Sequence, residues 1–325
     1  MKIRFLVFII IPFLILNAFQ AMKNPQSDIR SKLINARLFL PDTQMGYYMG
    51  TRFDWSGQIS DLSFNGHNYF GKWFDKYDPT IHDAIMGPVE EFGPLNYNEA
   101  KPGENFIMIG IGILKKPDEK DHDRFGYYQI VDHGKWKVRT KSDQVQFIHK
   151  LDHDGYSYEY SKTVRLLKDK PVLEVSHILK NTGNKTITTN MYNHNFFVID
   201  DQPIGPDFVM TFPYNIKGEG QGIGTIAEIQ DNKMVFKRNL TKGETIFCGS
   251  LTGFRNDPKD LDIRIENKTT GAGVRITGDQ PLSKLIFWAC PTTMCPETYV
   301  DIQIKPGEEF SWKFFYEFYT FDVKK

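Results

Sequence analysis

Apolar and polar residues alternate along most of this chain with a period of two. Val145, Phe147, His149 and Leu151 interleave with Gln144, Gln146, Ile148 and Lys150. Tyr156, Tyr158 and Tyr160 alternate with Ser157, Glu159 and Ser161, and Leu173, Val175, His177 and Leu179 share one parity further on. Successive side chains of a strand point to opposite faces, so these runs predict strands with one buried face. Turn residues separate them at Asp152-His153-Asp154-Gly155, Lys168-Asp169-Lys170-Pro171 and Asn181-Thr182-Gly183-Asn184. Phe106 to Leu114, apolar with glycines, predicts a buried strand. Helical periodicity is nearly absent: Ser27 to Ile34 is expected as a short helix and Ile81 to Met86 as about one turn. Many short strands with turn signals between them predict an all-β fold, a large antiparallel β-sandwich. No repeat, low-complexity tract or linker divides the sequence, so residues 22–325 are expected to form one domain.

The N-terminus breaks the pattern. Lys2 and Arg4 precede an apolar run from Phe5 to Leu16, then Asn17-Ala18-Phe19-Gln20-Ala21 and a polar stretch. Positive, apolar and small residues in that order predict a signal peptide over residues 1–21, and hence an exported protein, periplasmic or extracellular. The run is short for a membrane span of about 20 residues. Protein recovered from its host should begin between about Phe19 and Asn24; an intact Met1 form in the cytosol contradicts export.

Lys plus Arg and Asp plus Glu each total 40 in 325 residues, so the formal charge is zero. That balance gives no electrostatic footprint for nucleic acid or an anionic membrane surface. Aromatic residues make up 14%, with 26 Phe and 15 Tyr, which suits strands and offers flat faces for sugar rings. Three cysteines are too few for a disulfide framework. Cys290 and Cys295 either pair across a short loop or stay as two buried thiols, and Cys248 reads as core.

Candidate chemistry gathers in Asn190-Met191-Tyr192-Asn193-His194-Asn195-Phe196-Phe197, where three Asn, a Tyr and a His crowd a strand end. Buried amides need partners or cost a few kcal/mol each, roughly, so the crowding points to a polar pocket with His194 as its titratable member. Other clusters read as structure. Asp121-His122-Asp123 and Asp152-His153-Asp154 fit solvated turns better than metal sites, and the charged stretch Lys115 to Arg124 fits a solvated loop. Glu90 and Glu91 would face opposite ways in a strand and act together only from a loop. The glycine-rich Gly218 to Gly224 lacks the context of a phosphate loop and reads as a flexible loop.

Two segments together carry a resemblance. Leu179-Lys180-Asn181-Thr182-Gly183, followed by Asn193-His194-Asn195-Phe196-Phe197, resembles the aldose 1-epimerase (galactose mutarotase-like) family. The C-terminal part is similar too: the apolar Leu285 to Cys290, then Cys295-Pro296-Glu297-Thr298, then Lys305-Pro306-Gly307-Glu308 and an aromatic closing strand. The interval from Glu297 to that last turn is shorter than in galactose mutarotases proper and looks more like the hexose-6-phosphate epimerase branch. The resemblance implies a mutarotase-like supersandwich and a sugar substrate. It implies His194 as general acid and Glu297 as base, Glu317 being the rival carboxylate. No cofactor or metal is implied, because both steps are proton transfers. With those roles Glu297 would set the acid limb of the pH–rate profile and His194 the alkaline limb.

Asn193, Arg52 and His133 are expected to bind substrate by the same resemblance, Arg52 lying in Gly50-Thr51-Arg52-Phe53-Asp54-Trp55 and His133 in Asp132-His133-Gly134-Lys135-Trp136. His133 equally suits a turn, and Trp55 either stacks on sugar or fills the core. Two other functions remain open from sequence: a secreted glycan-binding protein without turnover, and a polysaccharide lyase or hydrolase on a related sandwich.

Overall fold

The computed structural model describes residues 24–323, so the leader expected over residues 1–21 lies outside the described residues. Twenty-two strands and a single 3-10 turn make up its regular structure among the described residues. Ten strands form one antiparallel sheet, running from an edge at Ala227–Gln230 to the opposite edge at Lys135–Thr140. A five-stranded sheet contains, in order, Ile246–Cys248, Lys284–Cys290, Thr293–Ile304, Ile187–His194 and Val89–Phe92. Four-stranded and three-stranded sheets complete the set.

The period-two runs become strands in the expected places. Tyr156–Leu166 alternates strictly between buried and half-buried positions and pairs with Gln144–His153 and Val172–Asn181. Two expectations of helix fail. Ser27 to Ile34 forms parts of two paired strands, Gln26–Arg30 and Ile34–Phe39. The Ser31 hydroxyl accepts from the N–H groups of Leu33 and Ile34, which closes the turn between them and lets Ile29, Ile34, Ala36 and Leu38 reach the core. Ile81 to Met86 is a turn held by the Ala84 N–H to the Ile81 carbonyl at 3.1 Å.

The core fills the space between the ten-stranded and five-stranded sheets with Leu173, Val175, Met191, Phe197, Val300 and Trp312 among many. Charge is buried there as well. Glu90 is fully buried, in contact with Lys162 and 3.0 Å from His177 Nε2, and the Asn193 amide donates to it at 3.2 Å. Trp312 stacks on His177 at 4.7 Å between ring centres. Burial pushes the Glu90 carboxyl up, but Lys162 and His177 outweigh it and hold the group down at about 2. Burial wins at Asp54, raised to about 7 with Lys162 4.0 Å away, so Lys162 chiefly neutralises Glu90.

The three cysteines are free, so the bridge weighed for Cys290 and Cys295 is not formed. Cys290 stands opposite Thr293 and Cys295 opposite Trp288 on adjacent strands, which makes the two cysteines diagonal neighbours, a poor separation for a disulfide. Cys248 is buried as expected.

Candidate active site

One face of the five-stranded sheet packs inward and the other forms the floor of a cleft of about 560 Å³. Strand parity decides which residues appear there. In Ile187–His194, Asn193 faces the core while His194 lines the cleft, and Tyr192 lies on the same face as His194, buried with its hydroxyl on Glu91. In Thr293–Ile304, Glu297 and Tyr299 share the cleft face and Thr298 and Val300 the buried one. Asn193 pairs with Thr298 in the register, so the next pair outward is His194 with Glu297. Residues more than a hundred positions apart thus become cross-strand neighbours, with His194 Nε2 3.4 Å from Glu297 Oε1.

The imidazole is fixed from three sides. Phe196 stacks on it at 3.8 Å, while Phe53 and Trp288 present edges at 5.6 and 5.7 Å. Phe196 reaches that position with φ at 43°, a left-handed conformation costly for a bulky residue, and its N–H donates to Cys295 Sγ at 3.2 Å. Gly87 lies so close to the Asn195 carbonyl that a β-carbon would collide with it, so glycine is required where the chain passes the strand end. His194 Nδ1 makes no hydrogen bond with any described residue.

A charged frame surrounds the pair. Arg52 donates from Nε to Glu91 at 2.7 Å, from one Nη to Asp83 at 2.5 Å and from the other to the Tyr192 hydroxyl at 3.1 Å. Arg124 lies 3.3 Å from Glu91, and the Tyr192 hydroxyl donates to the same carboxylate. Tyr299 stacks on Tyr192 at 4.4 Å. Three of the five N–H donors of Arg52 are thereby committed, and the other two have no partner among the described residues.

Burial and the two arginines set the protonation of the pair. Burial pushes Glu297 up to about 7, with Glu91 adding to the rise and Arg52 and Arg124 opposing it. Burial, then Arg52 and Arg124, hold His194 well below the usual histidine range. Below neutrality the pair therefore holds its proton on Glu297 beside a neutral His194, and it loses that proton as pH rises through about 7. The resemblance implies the opposite starting assignment, with the proton on His194 as acid and Glu297 ionised as base.

Of the remaining expected site residues, Arg52 lines the cleft and three do not. Asn193 points to the buried side, donating to Glu90 and to the Tyr316 hydroxyl at 3.4 Å. Trp55 is fully buried, its indole N–H on the Gly50 carbonyl, with the His133 ring 5.0 Å away. The His133 carbonyl accepts from His149. Glu317 lies on the outward side of Glu309–Thr320, half-exposed and 3.7 Å from Arg275. Glu91, Tyr192, Arg124 and Tyr299 enter the site without having been singled out for it. Parity with His194 and Glu297 marks Tyr192 and Tyr299 in the sequence; Arg124 carries no such mark. Two members of the charged 115–124 stretch make specific tertiary contacts: Arg124, half-exposed, in this frame, and Lys116, buried with its ammonium on the Tyr97 and Ala100 carbonyls. Among the described residues no group of three or more His, Cys, Asp or Glu could hold a metal ion.

A long antiparallel sheet packed on a shorter one whose outer face carries the polar cleft is the galactose mutarotase-like fold. Solved structures of that kind superpose over nearly the whole chain. The C. elegans GalM/aldose epimerase homologue gives a TM-score of 0.55 at 14% identity, covering 91% of this chain and 99% of its own. A galactose mutarotase-like protein from Clostridium acetobutylicum gives 0.54 at 12%, covering 91% and 95%. Slr1438 from Synechocystis sp. PCC 6803 gives 0.55 at 10%, covering 92% and 97%. No family model matches the sequence, and no curated protein is detectably similar to it. At these identities the similarity establishes the fold.

Proposed function

We propose that the protein interconverts the anomers of a free reducing sugar by acid–base ring opening. The observation that carries this reading is the contact of His194 Nε2 with Glu297 Oε1, 3.4 Å apart at the buried end of an open cleft. Ring opening takes a proton from the C1 hydroxyl and gives one to the ring oxygen. The bond from C1 to the ring oxygen breaks, C1 becomes the aldehyde carbon, and rotation about C1–C2 followed by reclosure returns both protons. Glu297 as base and His194 as acid follow the family resemblance, and both solved neighbours named as epimerase or mutarotase relatives share the fold. Arg52 supplies two donors for sugar hydroxyls. Each proton-transfer group contributes roughly 10²–10⁴-fold.

Glycoside hydrolysis is less well supported, because it needs two carboxyl groups free to act on the substrate. The other carboxylates of the frame are committed: Glu91 to Arg52, Arg124 and Tyr192, and Asp83 to Arg52 with the His82 ring nitrogen 3.0 Å away. Polarimetry on freshly dissolved anomers, run beside oligosaccharide cleavage assays, tests the proposal. Faster approach to the equilibrium rotation without cleavage supports it, and cleavage in place of rotation change refutes it.

The pH dependence separates this site from the sequence expectation. Catalysis requires one proton on the pair, whichever member holds it. That proton leaves as pH rises through about 7, the value of Glu297, and a second enters only well below the ordinary histidine value near 6.5. The kcat/KM profile should therefore fall on its alkaline side near pH 7 and stay high to distinctly lower pH. Glu297→Gln should abolish the alkaline limb in whatever activity remains. Persistence of that limb in the variant assigns it elsewhere.

A further inference from the structure

The cleft is wider than the reacting pair needs, and its mouth carries two aromatic rings from unrelated parts of the chain. Phe125 is 56% exposed and Phe247 46% exposed, yet both line the same cleft as His194 and Glu297. Neither is a loose surface residue. The Arg52 guanidinium lies 4.8 Å from the Phe125 ring centre and His82 lies 5.3 Å from it. Phe247 is held in the strand Ile246–Cys248 opposite Trp288, and its N–H donates to the Gln221 carbonyl at 3.0 Å.

That last bond explains the glycine-rich segment, which the reaction leaves unused. A β-carbon on Gly220 would collide with the Phe247 carbonyl, and one on Gly218 would lie 2.7 Å from Cys248 Sγ. The glycines let the segment lie flat against the edge strand, and they bring Gln221 to the cleft beside Phe247. Lys284, from the neighbouring strand, adds a cation at the same wall.

We propose that Phe247 and Phe125, with Gln221, form a second sugar subsite, so that the substrate is a reducing oligosaccharide whose reducing ring sits at His194 and Glu297. This rests on the anomer-exchange reading and names the substrate class for it. Only a free anomeric centre can open, so C1 of the reacting ring occupies the buried end. Any further unit must be joined through a non-anomeric oxygen of that ring, and it extends toward solvent, where the two aromatic rings stand. A pyranose presents C–H groups on its faces and hydroxyls at its edges. Aromatic faces match that distribution when flanked by the Lys284 ammonium and by the Gln221 amide oxygen, the Gln221 nitrogen donating to Thr245 at 2.9 Å. A volume of about 560 Å³ lies within the range that takes ligands well beyond one hexose. Two large aromatic rings exposed in one concave site are the kind of apolar surface that marks a binding face.

The test measures both binding and exchange on the full protein. Glucose and galactose are compared with maltose, lactose and melibiose by calorimetry and by polarimetry, for the wild type, Phe247→Ala, Phe125→Ala and Phe247→Trp. The wild type should bind at least one disaccharide about three- to tenfold more tightly than the hexose at its reducing end, the gain an aromatic contact supplies. Each Ala variant should cut that ratio, and the ratio of disaccharide to hexose kcat/KM, by a similar factor, while Phe247→Trp retains it. If no disaccharide binds more tightly than its hexose, or if the ratios are indifferent to both Ala variants, the subsite is refuted even where hexoses exchange. If no sugar exchanges but the binding preference is present and lost in the Ala variants, the subsite stands and the anomer-exchange reading falls.

Discussion

Replacing His194 by Ala or Glu297 by Gln should each slow anomer exchange by at least about a hundredfold, the lower end for loss of a general acid or base. Both proteins should stay folded. The two side chains face the cleft, and their strands are anchored from the other face by Asn193, Thr298 and Val300. His194→Ala removes the ring stacked on Phe196 and so costs some packing, whereas Glu297→Gln keeps the shape and removes a group whose ionisation burial already opposes. The double variant should lose far less than the product of the two single losses, because one ring-opening step uses both groups together. Multiplicative losses would show two independent contributions and contradict a proton-sharing pair.

The second large effect belongs to the reverse face of the same strands. Lys162→Met should destabilise the fold by about 3–5 kcal/mol, because it strands the Glu90 carboxylate in the core. Adding Glu90→Gln should recover much of that loss, since a neutral amide needs no counter-ion and can still meet His177 and Asn193. The wild type should also show an acid-sensitive window. Glu90 lies near 2 when folded, below its ordinary value of 4.5, so its contribution is complete above 4.5 and disappears as pH falls toward 2. Urea unfolding midpoints across that range measure both effects. A Lys162→Met loss under about 1 kcal/mol would mean that the pair does not hold the sandwich together. The network also bears on the site, because Glu90 adjoins Glu91 in one strand and Asn193 adjoins His194 in another.

The two faces of these strands explain what could be read from sequence. Alternation of Tyr156, Tyr158 and Tyr160 predicts the central strands correctly because burial on one face is the physical cause of that pattern. The same rule places Glu90 and Glu91 on opposite sides, one in the core and one in the site frame. The hairpin at Ser31 misleads because its two strands are short and the turn between them interrupts the alternation within the same eight residues. His194, which ends its strand, and Glu297, inside Thr293–Ile304, are legible through the segments that carry the resemblance. Their pairing is a matter of register, which sequence does not display. Arg124 is hidden for a different reason: it sits in a charged loop, and only tertiary contact with Glu91 distinguishes it from its solvated neighbours. Trp55 and His133 have the residue types of a sugar site, but the fold brings them to each other and away from the cleft.

The most direct test of the central claim is exchange NMR on a sugar already at anomeric equilibrium, where no net reaction occurs. With wild-type protein, cross-peaks between the α and β signals at C1 should grow far faster than in buffer for at least one reducing sugar. They should collapse toward the buffer rate with Glu297→Gln. A wild-type protein that broadens the sugar signals through binding, yet exchanges α and β no faster than buffer, would contradict anomer exchange and make the site a sugar-binding cleft.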